Sequence, residues 1–264
     1  MVARIALVGF ATLLGACANL LGIDKNYVEA DAGDAGDASD AEAGDADAGI
    51  PFTCPTIDAS AGYVFCDDFD HTPLGANWSG VTTEYGVAAL DTSNPVSPPD
   101  AFASSIEATD AAVQRQAKLS RNFIAAKSVD CRFSVQVVKA GTDPMRFVSI
   151  DVVNPELLAY ELNLYIDPAT TPYVQEWAGL SDGGGYYSQK NFTPVFLPGL
   201  WVDVELSIEY GKAIQVWVDG NPAATMSALP QTPQGESVIL GAFSNTGTSA
   251  WELLFDNLAC VVTL

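Results

Sequence analysis

Residues Trp201–Gly220 read WVDVELSIEYGKAIQVWVDG, and this stretch decides the fold. Val202, Val204, Leu206 and Ile208 alternate with Asp203, Glu205, Ser207 and Glu209. Successive side chains of a β-strand point to opposite faces, so the apolar set faces a core and the acids share the other face. Tyr210-Gly211-Lys212-Ala213 supplies a glycine-containing turn. Ile214, Val216 and Val218 then point inward again, with Gln215, Trp217 and Asp219 outward. Asp219-Gly220-Asn221-Pro222 is the next turn signal. Burial alone explains every position of this strand, turn, strand, turn unit.

The same period-two pattern, punctuated by Gly, Pro, Asn and Asp, runs outward from this unit over residues 50–264. It predicts further strands over Tyr63–Cys66, Tyr85–Leu90, Ala101–Glu107, Val113–Ser120, Asp130–Lys139, Arg146–Val153 and Leu157–Ile166. Others are expected over Tyr173–Ala178, Tyr186–Phe192, Ser237–Ser244 and Glu252–Val262, with the opening unit giving Val202–Tyr210 and Ile214–Asp219. No segment of useful length carries a helical period. The expected class is all-β: one antiparallel β-sandwich of jelly-roll type, burying two inner faces.

The two stretches before residue 50 are of other kinds. Residues 1–17 read MVARIALVGFATLLGAC, with Arg4 before an apolar run from Ile5 to Leu14 that is too short for a comfortable membrane span. Leu14-Gly15-Ala16-Cys17 resembles a bacterial lipobox, which implies cleavage before Cys17 and lipid attachment to it. Residues 29–49 read EADAGDAGDASDAEAGDADAG. Without aromatic or branched aliphatic side chains they cannot offset their chain entropy by burial, so residues 18–49 are expected to form a disordered acidic linker. Anchor and spacer together resemble the tethers of surface lipoproteins of Gram-negative bacteria such as myxobacteria. The expected location is the cell envelope, at the outer membrane or cell surface.

Charge narrows the partners. The chain carries a formal net charge of -22, and residues 50–264 hold 24 acids against 9 bases. Phosphate contacts need a basic face, so no nucleic acid is expected as a partner. Anionic glycans are disfavoured on the same ground unless a cation bridges them. Beyond Cys17, the cysteines are Cys54, Cys66, Cys131 and Cys260. An even number in an exported chain suggests two disulfides, with three possible pairings.

Four stretches carry a family resemblance. They are Trp201 with its alternating strand, Gly turn and Val-Trp-Val-Asp-Gly; Phe65–Asp70 (FCDDFD) with Trp78; Asp130–Val138 (DCRFSVQVV); and Phe255–Leu264 (FDNLACVVTL). Together they resemble laminin-G-like and concanavalin-A-like lectin/glucanase domains over roughly residues 60–264. In that fold the closing strand pairs with the central one. The resemblance therefore implies a Cys131–Cys260 bridge, leaving Cys54–Cys66 as a local clamp.

Family 16 glycoside hydrolases share this fold and carry a Glu-x-Asp-x-Glu or Glu-x-Asp-x-x-Glu strand. Here the order is Asp203-x-Glu205-x-Ser207-x-Glu209: no Glu leads, and Ser207 stands where an acid is required. The acids are therefore read as a solvated strand face and no catalytic residue is assigned. His71 stands alone as a loop residue, and Tyr186-Tyr187 with Lys190 reads as packing. Asp67, Asp68 and Asp70 cluster but offer too few oxygens for Ca²⁺, so no cofactor is assigned beyond calcium as an option. Sugar sites combine aromatic faces with fixed polar groups. Glu161, Asn163 and Tyr165 share one strand face, as do Tyr173, Gln175 and Trp177 on the next, and the Gly183-Gly184-Gly185 loop lies nearby. The candidate ligand-binding set is Glu161, Asn163, Tyr165, Gln175 and Trp177, and the expected function is recognition of a carbohydrate without catalysis. The alternatives are a glycan-cleaving hydrolase or lyase, and a structural or adhesive envelope protein that binds another protein.

Overall fold

The computed structural model describes residues 52–264 except 59–60, 112, 125, 155–156, 181–183 and 230–232. The expectations for Cys17, for residues 18–49 and for Gly183 lie outside the described residues. In chain order the strands are β1 (Gly62–Asp67), β2 (Gly80–Glu84), β3 (Gly86–Asp91), β4 (Ala101–Ile106), β5 (Arg115–Ile124), β6 (Ser128–Lys139), β7 (Met145–Val153) and β8 (Leu157–Ile166). They continue as β9 (Tyr173–Leu180), β10 (Gly185–Asn191), β11 (Trp201–Glu209), β12 (Ala213–Val218), β13 (Asn221–Met226), β14 (Gly235–Ser244) and β15 (Trp251–Thr263). No helix occurs among the described residues.

The strands form two antiparallel sheets. The first runs β13-β12-β11-β6-β15-β4-β3, with β1 also paired to β15. The second runs β10-β9-β8-β7-β14-β5-β2. This is the antiparallel jelly-roll sandwich expected from the sequence. Every expected strand is present with its ends moved by a few residues, while β2 and β13 lie outside the expectation. Both are edge strands with weak patterning. In β2 all but Gly80 are exposed. In β13, Pro222 cannot donate to a ladder, which an edge strand tolerates. Asp219 and Gly220 at φ 50° and 71° make the tight hairpin turn that leads into it.

The core lies between the sheets. Val129, Cys131, Phe133, Val135 and Val137 of β6 are all buried on its inner side, and so are Tyr160, Leu162, Leu164 and Ile166 of β8. Phe133 meets Phe147 of the second sheet edge-on at 6.3 Å, and Phe65 meets Phe123 across the sheets at 6.4 Å. Cys131 and Cys260 stand directly opposite in the β6–β15 ladder, Cα atoms 4.1 Å apart, and are bonded. Cys54 and Cys66 form the second disulfide. Both pairings are those implied by the resemblance.

Two buried acids interrupt the apolar interior. Tyr160 donates to Glu176 at 2.7 Å, as does Tyr210 to Glu236, and the two tyrosine rings touch at 6.3 Å. One oxygen of each carboxyl has no partner among the described residues. Burial pushes the Glu236 carboxyl up to about 7, although the Tyr210 hydroxyl pulls it the other way.

Candidate functional site

The two outer faces differ in what lies over them. On the first sheet the loop 92–100 is tied down by Asp256, whose carboxylate accepts from the backbone N–H of Val96 and Ser97 at 2.7 and 2.9 Å. Strand alternation turns that carboxylate outward, opposite Ser134, just before a bulge in β15 where Asn257 has φ 54°. Asn94 reaches Gln136, Gln136 reaches the Gly199 carbonyl, and Arg132 donates to the Thr53 carbonyl. Asp203, Glu205 and Glu209 stand exposed on the same face. The Asp203 carboxylate accepts from Ser134 at 2.7 Å, and Glu209 pairs with Lys212. A shallow depression of about 210 Å³ beside Glu205 has no aromatic lining. The acidic hairpin is thus a wall of the sandwich.

The aspartates near the start of the domain are also structural. Asp67 is buried and accepts from the Phe69 N–H at 2.8 Å and from the Trp78 indole N–H at 2.6 Å. Asp70 accepts from the Asp100 N–H. Among the described residues no three or more His, Cys, Asp or Glu gather in a metal-holding group.

The second sheet carries the candidate site. Glu161 lies opposite Trp177, Asn163 opposite Gln175, and Tyr165 opposite Tyr173 in the β8–β9 ladder. Strand alternation turns all of them away from the core, so the five sequence-derived residues share one outer face, on which Asn163 is buried beneath its neighbours. β10 extends it, since Tyr187 pairs with Trp177, Gln189 with Gln175, and Asn191 with Tyr173. Tyr165 and Tyr173 stack at 4.6 Å with ring planes 15° apart. Gln175 donates to the Tyr187 hydroxyl at 3.3 Å, Tyr187 donates to Gln189, and Gln189 donates to Asn191 at 3.1 Å. The result is an aromatic and amide surface whose outer parts face solvent: Trp177 is 37% exposed and Tyr187 59%. Tyr186 points to the other side of its strand, and Lys190 follows the same alternation.

Toward the middle of the sheet the face becomes ionic and recessed. Arg146 of β7 donates to Glu161 at 2.8 Å and to the Asn163 carbonyl at 3.1 Å. Asp151 stands opposite Glu161, accepts from Ser149, and is pushed above the usual carboxylate range by burial. Lys118 of β5 is lowered by burial, with Asp151 acting against that. Burial raises both the Tyr165 and Tyr173 phenols, so neither supplies a phenolate base near neutrality. Sequence reasoning missed Arg146, Asp151 and Lys118. Of these, Lys118 and Asp151 had a clear local signal, each as the one charge on the outer face of an alternating strand, Gln116-Lys118-Ser120 and Ser149-Asp151-Val153.

This geometry defines a class, a jelly-roll sandwich with one polar aromatic sheet face, and solved structures share the fold. An endo-β-1,4-glucuronan lyase from the fungus Trichoderma reesei superposes with a TM-score of 0.63 at 12% identity, over 77% of this chain and 96% of that one. Cellulose induced protein Cip1 gives 0.57 at 13%, over 74% and 96%. A Bacteroides ovatus mixed-linkage glucan GH16 protein, in complex with a G4G4G3G product, gives 0.54 at 9%, over 75% and 99%. At these identities the likeness is one of fold, which agrees with the concanavalin-A-like resemblance. No protein-family model and no curated protein matches the sequence.

Proposed function

We propose that the outer face of β8, β9 and β10 binds a glycan without cleaving it. The observation that carries this reading is the patch itself. Trp177, the Tyr165–Tyr173 stack, Tyr187 and an amide relay through Gln175, Gln189 and Asn191 lie on one solvent-facing surface. Flat aromatic faces take sugar rings, and fixed amides take hydroxyls. The fold neighbours include proteins named for a glucuronan lyase and a glucan-bound GH16 protein, which is consistent with that chemistry. In the same reading Cys17 carries a lipid and residues 18–49 hold the domain off the membrane, on the strength of the sequence motif alone.

The test is a glycan array probed with the full chain, with and without Ca²⁺, followed by titration of hits against Trp177→Ala. Truncating a stacking ring of this kind costs about 1–2 kcal/mol, so affinity should fall roughly five- to thirtyfold. A blank array in both conditions, or unchanged affinity in the variant, would overturn the reading.

One observation favours hydrolysis as a second reading. Asp151, pushed toward its neutral form, faces Glu161, which is paired with Arg146. A neutral acid beside an ionised carboxylate is the arrangement glycosidases use. New reducing ends from an array hit, abolished by Asp151→Asn, would establish it in place of simple binding.

A further inference from the structure

Lys118 and Arg146 meet over one aromatic ring. The Lys118 Nζ lies 5.5 Å and the Arg146 Cζ 4.2 Å from the centroid of Phe243. Register explains the meeting. Phe243 of β14 stands opposite Arg146 of β7 and Gln116 of β5, and Gly241 stands opposite Lys118. Phe243 is 2% exposed yet does not belong to the core cluster, so it is covered from the outer side.

The two cations differ in what they hold. Arg146 is engaged with Glu161 and Asn163. The half-buried Lys118 ammonium has neither a hydrogen-bond nor an ion-pair partner among the described residues. An ammonium has three donors, and partial removal from water without an acceptor is costly. Asp151 and Glu161 act on it only as nearby charges. Beside it the ladder is bare. Gly241 has φ 138°, and a Cβ there would come within 2.2 Å of the Ala117 carbonyl oxygen, so no side chain can fill the place next to Lys118.

We infer that Lys118, with Arg146 beside it, is a subsite for a singly charged oxyanion on a sugar, so the glycan this face takes is acidic. The inference rests on the glycan reading above and names its substrate class. It also reverses the expectation drawn from net charge. Surface acids beyond about 8–10 Å are screened at physiological salt, and of the two nearby carboxyls Glu161 is held by Arg146 while burial favours the neutral form of Asp151, so the unpaired ammonium decides what docks against it. A uronate carboxylate and a sulfate ester present the same charge and acceptor oxygens, and the experiment separates them.

The full chain is titrated with oligogalacturonate, with the same oligomer fully methyl-esterified, with a sulfated galactan oligomer, and with a neutral cello-oligosaccharide. The expected result is at least tenfold tighter binding of the free acid or the sulfated oligomer than of the ester, weakening as salt rises. Whichever anion binds identifies the source. Lys118→Gln should abolish that preference and Lys118→Arg should keep most of it, both melting no lower than the parent. Equal binding of acid and ester, or a preference that survives Lys118→Gln, overturns the inference. Binding of the neutral oligomer alone overturns it too but leaves the glycan reading standing. No binding of any oligomer removes both.

Discussion

Asp203 and Glu205 stand exposed on the outer face of β11, and Asp203 is tied to Ser134 rather than to a second carboxyl. Substituting both, Asp203→Asn with Glu205→Gln, should leave glycan affinity within about twofold and stability within about 0.5 kcal/mol, measured by titration and denaturant melts. A larger loss of binding would move the site to the first sheet. Alternation made this face legible in the sequence, because each acid sits between two core residues. It made Glu161, Asn163, Tyr165, Gln175 and Trp177 legible in the same way, as outward positions on consecutive strands. Arg146 was hidden because β7 carries a register shift between Arg146 and Val148, so counting by twos loses which side its guanidinium takes. Phe243 was hidden for a different reason. An apolar residue in an apolar strand reads as core, and only the register of β14 shows that it lies under Arg146.

At the scale of elements, local pairs were readable and distant ones were not. The β11–β12 and β8–β9 hairpins follow from short turns. The insertion of β14 between β7 and β5 does not, because its partners lie far back in the chain and no local signal marks them. The β6–β15 pair was an exception, since the family resemblance placed those strands side by side. The Cys131–Cys260 bridge locks that pair across a sequence separation of 129. On the loop-entropy model a bridge of this span contributes about 5 kcal/mol. Cys131→Ala with Cys260→Ala should therefore lower Tm by roughly 10–20 °C in a domain of this size, read by scanning calorimetry. A shift of only a degree or two would mean that the ladder holds these strands without help.

For the whole molecule, the buried acids set the pH response. An exposed glutamate titrates near 4.5, whereas Glu236 in the folded chain titrates at about 7. Between those values the native state holds a proton that the unfolded chain has released, so stability falls as pH rises. The contribution is fully present below 4.5 and gone above 7, a difference of about 3 kcal/mol. Burial raises Glu176 and Asp256 as well, with the same sign. Melting should therefore be higher at pH 5 than at pH 8.5, and Glu236→Gln should shrink that gap. A Tm that climbs from pH 5 to pH 8.5 would contradict the burial of this carboxyl. The pairing of the first strand with the last has a mechanical side as well. β1 runs antiparallel to β15, with Gly62 beside Thr263 and Cys66 beside Ala259. A pull on residues before Cys54 would ordinarily peel β1 away from Gly62 onward, one pair at a time. The Cys54–Cys66 bond diverts that tension past residues 55–65 and delivers it at Cys66. The peeling end of the strand then carries no load. With the bond intact, tension from the N-terminal side bypasses Gly62–Phe65; with the bond reduced, the same tension falls on the Gly62 end of the strand first.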